Sequence, residues 1–558
     1  MSASQFNAAA KGRFVVNPLF QTDSYKVSHA RFTAKGTQVI YSNLTARSFD
    51  VFKRMFPDTD MKSVFFGLQA FMIDVLINQW NDNFFNRPKD EVIAEVDRVF
   101  GAYLGGIDST HFGDLHDLGY LPIEIKALPE GSLVPVKVPY FTIQNTHDDF
   151  QWITNYLETI ISSELWKVIT VATVGREFRK LSNAFALKTT GSTAGTEFQN
   201  HDFSFRGQSN WHSAASLGAA FLLSSNGTDN IPAIPWLEHY YDANIDKEFI
   251  AASVPASEHS VSCLGSAVSG EFDFIRHSIT EAYPTGIVSI VSDTYDYWKV
   301  ITEFLPALKE DILARQENSL GLAKVVIRPD SGNPVRIICG YHVGSKEFAD
   351  VDEAYNFYDG NLYNLPEVIK VGNTYRTIDA MDPGRVGLGK ELSEAEVKGS
   401  IQCLWDIFGG TINEQGYKVL NPRIGLIYGD SITYERAKEI YTQLADKGFA
   451  SLNVVFGVGS YALSVHSRDT LGMAIKATAA KVDGKWIELF KDPKTDDGTK
   501  KSAKGLLSVV KDAPNGNLCL LDQRTPDQED DTGELQTVFY NGNVVTTTFA
   551  EVKQRLWG

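Results

Sequence analysis

The feature that most constrains the fold is an apolar, β-branched run that ends abruptly in charged residues. Residues 325–327 read Val-Val-Ile, and Arg328, Pro329 and Asp330 follow directly. Short β-branched runs closed by proline or glycine are typical of buried parallel strands. In α/β proteins, polar residues at the carboxyl ends of such strands form the ligand site. The run therefore predicts a parallel sheet with a site at this edge.

The same pattern occurs four more times. Each run ends in polar residues or glycine and is followed by a segment with helical character; the runs are at residues 249–254, 287–291, 424–428 and 452–456. Five such units in order predict an α/β protein with a (β/α) barrel-like domain, in which loops at the carboxyl ends of the strands build one site.

Segments outside this domain are predicted to be rich in β structure and to flank it from both termini. The stretch 336–395 is far longer than an ordinary loop of about 4–6 residues, so we predict that it is an inserted subdomain. The predicted divisions are an N-terminal α+β segment at 1–165 that packs with the C-terminal segment, a barrel-like catalytic domain at 166–469, and a β-rich C-terminal segment at 470–558.

Composition argues against several classes of function. The chain of 558 residues has a net charge of -17, which disfavours nonspecific binding to nucleic acid or to an anionic membrane. Its 4 cysteines form no Cys-x-x-Cys pair, which predicts a reduced, cytoplasmic protein without structural zinc. No apolar run approaches the roughly 18 residues of a membrane span, and no signal peptide is expected.

The segment 22–29 gives a local prediction of its own. Thr22 or Asp23 is expected to cap a helical turn, with Tyr25 packed inward and Lys26 in solvent.

Titratable residues at two predicted strand ends indicate phosphoryl chemistry. His259 follows Glu258 shortly after one run, and Asp293 follows the next. An aspartate beside a histidine fixes its tautomer and raises its basicity, which suits a histidine that accepts a phosphoryl group. A lone histidine in a serine-rich loop is more often structural, so both interpretations stay open at this point.

Arginines and glycine-containing turns are suited to hold phosphate or pyrophosphate. Arg206, Arg328 and Arg468 offer planar forks of donors. The turns at 429–430 and 457–460 are expected to present backbone N–H groups to an anion. Neither a P-loop nor a Rossmann glycine motif is present, so these turns predict a different kind of phosphate site.

Eight short motifs together resemble those of the nicotinamide phosphoribosyltransferases, in the type II phosphoribosyltransferase family. They are TDSYKVSH at 22–29, HDFSFRG at 201–207, GTD at 227–229, SVPASEHS at 253–260, SIVSDTYD at 289–296, IRPDSGNP at 327–334, GD at 429–430 and FKDP at 490–493. They are spread in order over most of the chain. The resemblance implies an enzyme of NAD salvage that makes nicotinamide mononucleotide and pyrophosphate from nicotinamide and phosphoribosyl pyrophosphate, with ATP as co-substrate.

The resemblance also implies roles for individual residues. Phe203 would stack on one face of the pyridine ring and Tyr25 of the partner subunit on the other, while Asp229 would accept a hydrogen bond from the carboxamide. Further substrate contacts are implied for Arg206 and Arg328 at the phosphates, Asp330 at the ribose hydroxyls, Gly429, Asp430, Gly459 and Ser460 near the ribose 5-phosphate, Asp23, Ser253 and Ser289, and, from the other subunit, Arg468 with Arg47, Lys476 and Lys500.

For catalysis, the resemblance implies that His259 is phosphorylated, assisted by Asp293 and Glu258, in a homodimer with shared active sites. Mg²⁺ would be carried mainly by pyrophosphate, and its protein ligands are left open. One alternative is a nicotinate phosphoribosyltransferase, against which Asp229 argues because an ionised aspartate repels a carboxylate. The other is a non-catalytic barrel that binds a nucleotide, for which a paired histidine and aspartate would be superfluous.

Overall fold

In a computed structural model of the chain, six parallel strands form the central sheet. The structure describes residues 14–358, 365–381, 385–491, 502–512, 515–530 and 533–558. The strands are β1 (Asn200–Asp202), β2 (Gly227–Thr228), β3 (Gly286–Val291), β4 (Ala323–Arg328), β5 (Ile424–Tyr428) and β6 (Val454–Val458). They pair in the order β2-β1-β6-β5-β4-β3. Every residue of β5 is buried, because a strand covered on both faces has no polar side.

The sheet curls into a half-barrel, and the segment between β2 and β3 bridges its two edges. Ala252 forms a parallel bridge to Gly227 of β2, and Ala256 forms one to β3. The predicted fold class, an α/β protein with a barrel-like domain, is confirmed. The prediction of a regular strand at 249–254 is wrong, because only single bridges form there and Pro255 has no N–H with which to extend a ladder.

Helices follow the strands and pack around the sheet. The main ones are Glu158–Thr190, Trp211–Leu222, Ala233–Tyr241, His259–Ser269, Glu271–His277, Lys309–Leu313, Pro334–Cys339, Glu394–Lys398, Ser400–Phe408, Tyr434–Asp446 and Ser460–Ser464. The helix Pro334–Cys339 begins at the end of the segment 325–334, which starts with the apolar run Val-Val-Ile. Asn333 Oδ1 accepts hydrogen bonds from the N–H groups of Val335 and Arg336, and Pro334 occupies the first turn. A helix therefore begins within a few residues of the end of β4.

A second, antiparallel sheet joins the two ends of the chain. The strand Thr37–Ala46 pairs with Pro139–Asn145 on one side and with Met473–Val482 on the other. The remaining strands of this sheet are Ile123–Ala127, Lys485–Glu488, Gln536–Tyr540 and Asn543–Val544. Outside it, Lys62–Val64 pairs with Leu133–Pro135, and Leu506–Lys511 pairs with Leu518–Arg524. The domain boundaries given above stay a prediction.

Helices of the N-terminal segment and a C-terminal helix complete this layer. They are His29–Phe32, Asp50–Met55, Leu68–Phe71, Lys89–Leu104, Thr110–Leu118, Ile153–Tyr156 and Phe549–Trp557. The C-terminal helix begins with a capping box, in which Thr548 and Glu551 satisfy each other's backbone N–H groups. No helix among the described residues has the length and apolar character that a membrane span requires.

The stretch after Pro334 contains a small sheet with its own hydrophobic cluster. Its strands are Val343–Phe348, Val368–Val371, Thr374–Met381 and Arg385–Leu392, and the helix Val351–Tyr358 packs on them. Phe348, Ile369 and Ile378 lie in a cluster separate from the main core. An inserted subdomain was expected from the length of this stretch.

The prediction for residues 22–29 is wrong about the capping hydrogen bond and about which side chains are buried. The turn is a 3-10 helix, Ser24–Ser28, and Asp23 at its start makes no capping hydrogen bond. Tyr25 is 59% exposed, whereas Lys26 is only 4% exposed and forms an ion pair with Glu158. The reason is tertiary: a carboxylate from the long helix Glu158–Thr190 compensates the burial of the lysine.

Candidate active site

The carboxyl ends of four strands bring predicted site residues together. Asp293 follows β3, and its Oδ2 accepts a 2.9 Å hydrogen bond from the backbone N–H of Asp330, which follows β4. A Cβ built on Gly429, which follows β5, would lie 3.0 Å from Asp330 Oδ1 and 3.1 Å from Cε2 of Phe203, which follows β1. These residues are therefore neighbours at one edge of the sheet.

The ring of Phe203 packs against the backbone of Gly457. Its N–H donates to the carbonyl of Val458 at 3.0 Å, which continues the pairing of β1 with β6. A Cβ on Gly457 would lie only 2.3 Å from Phe203 Cδ2. The ring is half-buried and can present its remaining surface to a ligand.

Asp229 follows β2 and forms a polar cluster beside this ring. Its Oδ1 accepts hydrogen bonds from His201 Nε2 at 3.1 Å and from Ser253 Oγ at 2.5 Å. Partial burial acts to raise the pKa of Asp229, but the hydrogen bonds from His201 and Ser253 outweigh it and hold the pKa below its usual value. The side chain stays 45% exposed, so an ionised acceptor faces the site.

His259 and Asp293 form a second pair. His259 is the first residue of the helix His259–Ser269, and its Nε2 lies 3.0 Å from Asp293 Oδ1. A carboxylate only accepts, so Nε2 carries a hydrogen. In the neutral imidazole the lone pair is therefore on Nδ1, and no hydrogen bond engages Nδ1 among the described residues. His259 is 45% exposed and Asp293 4%. Glu258 accepts a hydrogen bond from Ser260 Oγ, and no hydrogen bond joins it to His259 or Asp293 among the described residues.

Arg328 is fixed at the end of β4. Its Nη2 donates to the carbonyl oxygen of Ser257 at 2.8 Å, and its Nε is buried without a partner among the described residues. One edge of the guanidinium is thereby anchored. No other hydrogen bond to the guanidinium occurs among the described residues, so Nη1 can bind an anion.

Other predicted residues of the strand ends differ in accessibility. Ser289 is buried within β3, where its backbone bonds to Pro255 and Ser257. Ser460 begins a short helix and lies against Gly207, since a Cβ there would fall 2.0 Å from Ser460 Oγ. Arg206 and Asp430 are exposed, and Gly459 borders open space.

The remaining predicted residues gather elsewhere on the chain, around Glu158. They are Asp23, Tyr25, Arg47, Arg468 and Lys476. Lys476 Nζ lies 3.9 Å from a Glu158 oxygen, and burial lowers the pKa of this lysine. Tyr25 donates to Asp23 Oδ2 at 3.3 Å. Within the described ranges, no hydrogen bond or ion pair links this Glu158 cluster to Asp229, His259 or Arg328. Lys500 lies outside the described residues.

Two residues have roles in the site that the sequence patterns did not identify. His201 contacts Asp229, and its only signal is its place two residues before Phe203 in the same motif. Gly457 was expected in a phosphate-binding turn; it instead lies inside β6, because that strand starts and ends two residues later than the predicted run 452–456. Its role is to make room for Phe203.

Comparison with known proteins gives a family match and relatives that cover nearly the whole chain. Residues 198–543 match the model of the nicotinate phosphoribosyltransferase (NAPRTase) family. A protein of Acinetobacter baylyi named nicotinamide phosphoribosyltransferase is 46% identical over 546 residues, 97% of each chain. A protein of the same name from Xanthomonas campestris pv. campestris is 30% identical over 543 residues, 95% of this chain and 96% of that one.

One solved structure resembles the fold over nearly the full length. Nicotinate-nucleotide pyrophosphorylase from Pyrococcus furiosus has a TM-score of 0.50 and 13% identity, and the match covers 98% of this chain and 97% of that one. At this identity the likeness concerns the fold alone.

Proposed function

The chain belongs to the nicotinate phosphoribosyltransferase family, and we propose that it makes nicotinamide mononucleotide and pyrophosphate from nicotinamide and phosphoribosyl pyrophosphate, a step of NAD salvage. The proposal rests chiefly on Asp229, whose ionised carboxylate accepts a hydrogen bond from His201, and the His201 ring lies 5.2 Å from the ring of Phe203 between centroids. A carboxamide N–H can donate to this group, whereas the carboxylate of nicotinate would be repelled. The full-length relatives named for the amide reaction support the same choice.

The reaction needs orientation and charge stabilisation more than proton transfer. The lone pair of the pyridine nitrogen attacks C1 of the ribose, and the bond from C1 to pyrophosphate oxygen breaks, with its electron pair leaving on pyrophosphate. Phe203 orients the ring for this attack. Arg328, anchored on Ser257, and the exposed Arg206 supply positive charge where negative charge develops.

Mg²⁺ is proposed to accompany the pyrophosphate. No group of three side chains suited to hold a metal ion occurs among the described residues. Mg²⁺ is commonly bound by substrate phosphates with one or two carboxylates, and Asp330 and Asp430 at neighbouring strand ends fit that arrangement. The ion would neutralise charge on the leaving group.

We further propose that ATP is a co-substrate that phosphorylates His259. The Nδ1 lone pair would attack the γ-phosphorus, and the bond to the bridging oxygen would break, so that ADP leaves with the electron pair; water later hydrolyses the P–N bond. Asp293 stabilises the positive imidazole through Nε2. Because Asp293 also binds the Asp330 N–H, it joins the histidine to the proposed ribose-binding loop.

The Glu158 cluster is proposed to serve the other subunit of a homodimer. Tyr25 exposes an aromatic ring, and Arg468 and Lys476 add positive charge. A second copy can therefore complete each site with the second aromatic face and further phosphate contacts. A single chain would then be a poor catalyst.

A direct assay tests the proposed function. The purified protein is mixed with phosphoribosyl pyrophosphate, Mg²⁺ and either nicotinamide or nicotinate, with and without ATP, and mononucleotide formation is followed. Product from nicotinamide is expected. Product from nicotinate alone would leave the family assignment intact and overturn the role of Asp229, and no product from either would favour a nucleotide-binding protein.

Asp229→Ala is expected to remove the preference for nicotinamide. A hydrogen bond to a charged group contributes about 1.5–3 kcal/mol, so kcat/KM for nicotinamide should fall by roughly 10- to 150-fold. The repulsion of nicotinate disappears with the same substitution. Competition between the two substrates measures the ratio. Asp246→Ala, at an exposed aspartate after the helix Ala233–Tyr241, is the control; unchanged selectivity in the Asp229 variant would rule out the assignment.

His259→Ala is expected to abolish phosphate transfer from ATP to the protein. Acid-labile protein-bound label from ATP carrying a labelled γ-phosphate, and ADP released per mononucleotide, should both drop to background. His277→Ala is a matched control, since His277 is also exposed and also faces a carboxylate, Glu281, at 3.3 Å. Label retained by the His259 variant would refute the phosphohistidine.

A further inference from the structure

His201 is a polar neighbour of Asp229 whose place in the site follows from the fold. Its Nε2 and the Oγ of Ser253 both donate to Oδ1 of Asp229, at 3.1 Å and 2.5 Å. Among the described residues, no hydrogen bond reaches the other oxygen, Oδ2. The carboxylate therefore has one oxygen engaged by the protein and one available to a ligand.

We propose that His201 is a specificity-determining positioning residue, which with Ser253 turns the free oxygen of Asp229 toward the substrate carboxamide. The inference rests on the proposed function and refines it. Two donors on one oxygen restrict rotation of the carboxyl group. The orientation of Oδ2 is therefore fixed, and Oδ2 is the carboxylate oxygen that can accept a hydrogen bond from the substrate. Nicotinamide can donate to it, whereas nicotinate brings only acceptor oxygens and a like charge.

The fold holds the imidazole from two sides. His201 lies in β1, is paired in register with Gly227 of β2, and is 13% exposed. The ring of Phe203 lies 5.2 Å from it between centroids. A Cβ on Gly227 would come within 2.6 Å of His201 Nδ1, so glycine at this position leaves the space that the imidazole occupies. A ring with so little freedom is suited to orient another group.

His201→Leu is expected to lower kcat/KM for nicotinamide about tenfold or more, mainly through KM, because Asp229 loses a donor that fixes its orientation. The kcat/KM for nicotinate should change much less, since the carboxylate of nicotinate has no hydrogen to donate to Asp229 Oδ2. The ratio of the two values should therefore fall about tenfold. A purely structural role of His201 would lower both values in proportion.

The test compares both substrates with the unaltered protein and with three variants. His201→Gln keeps an N–H donor at the reach of Nε2 and should restore much of the ratio; Ser253→Ala removes the other donor to Oδ1 and should also lower it. Thermal unfolding checks each variant, and Ser253→Ala provides the same comparison if His201→Leu does not fold.

An unchanged ratio in the variants that fold, or a proportional loss for both substrates, would overturn the inference while leaving the proposed function in place. Failure of the unaltered protein to form product from either substrate would overturn the proposed function itself. The two failures are therefore distinguished by the unaltered protein alone.

Discussion

Replacing Arg328 with alanine is expected to lower kcat/KM for phosphoribosyl pyrophosphate by about 100- to 1,000-fold. Loss of one preorganised donor to a developing negative charge typically costs about this much, roughly 2.7–4 kcal/mol. Arg328 is preorganised because Ser257 holds its Nη2 at 2.8 Å and its half-buried side chain ends β4. Steady-state kinetics with phosphoribosyl pyrophosphate as the varied substrate measures the effect.

Two further variants make this experiment specific. Arg328→Lys should recover only part of the lost activity. An ammonium is a point charge and cannot make the two parallel hydrogen bonds that a planar guanidinium makes to a phosphate. Arg423→Ala is the matched control, because Arg423 precedes the neighbouring strand β5 at the opposite end of the sheet. Among the described residues its side chain pairs only with the exposed Glu317. A surface pair contributes little, so kcat/KM should be unchanged. Equal effects of Arg328→Ala and Arg423→Ala would contradict the proposed role.

Gly457→Ala is expected to disturb both stability and nicotinamide binding. The added Cβ would lie 2.3 Å from Phe203 Cδ2 and 2.8 Å from Gly429 Cα, so the ring and a neighbouring backbone must move. Overpacking of this kind costs about 1–3 kcal/mol, more than the roughly 0.4–1 kcal/mol that replacing glycine gains from the unfolded chain. Displacing an aromatic stacking surface costs about 1–3 kcal/mol, so KM for nicotinamide should rise about 5- to 150-fold.

Denaturant unfolding and nicotinamide kinetics measure the two effects of Gly457→Ala. Gly459→Ala is the control for stability, because a Cβ at that position, two residues further along the same segment, meets no atom within 4 Å. Its free energy of unfolding should match that of the unaltered protein. A Gly457→Ala protein with normal stability and normal KM would mean that Phe203 does not bind the pyridine ring.

Much of the barrel was predictable because its signals are local. β3, β4 and β5 coincide closely with β-branched runs, since strands whose residues are buried or half-buried have few polar side chains to interrupt the pattern. The positions of Asp293 and Asp330 followed from the rule that parallel strands end at one edge, and the hydrogen bond between them is the structural counterpart of that expectation. Motif resemblance added the assignments of Phe203 and Asp229, whose roles in binding stay predictions.

The sequence by itself determined the strands β3, β4, β5 and, within two residues, β6, together with the polar residues that follow them, because both depend on residues adjacent in the chain. The short strands β1 and β2 contain no β-branched apolar run and were not predicted in this way. Only the tertiary structure decided which distant groups meet. Lys26 is buried because Glu158 lies across from it, Gly457 is needed because Phe203 packs on it, and His201 matters because β1 lies beside β2. Such pairings depend on the geometry of the folded chain, which no local periodicity specifies.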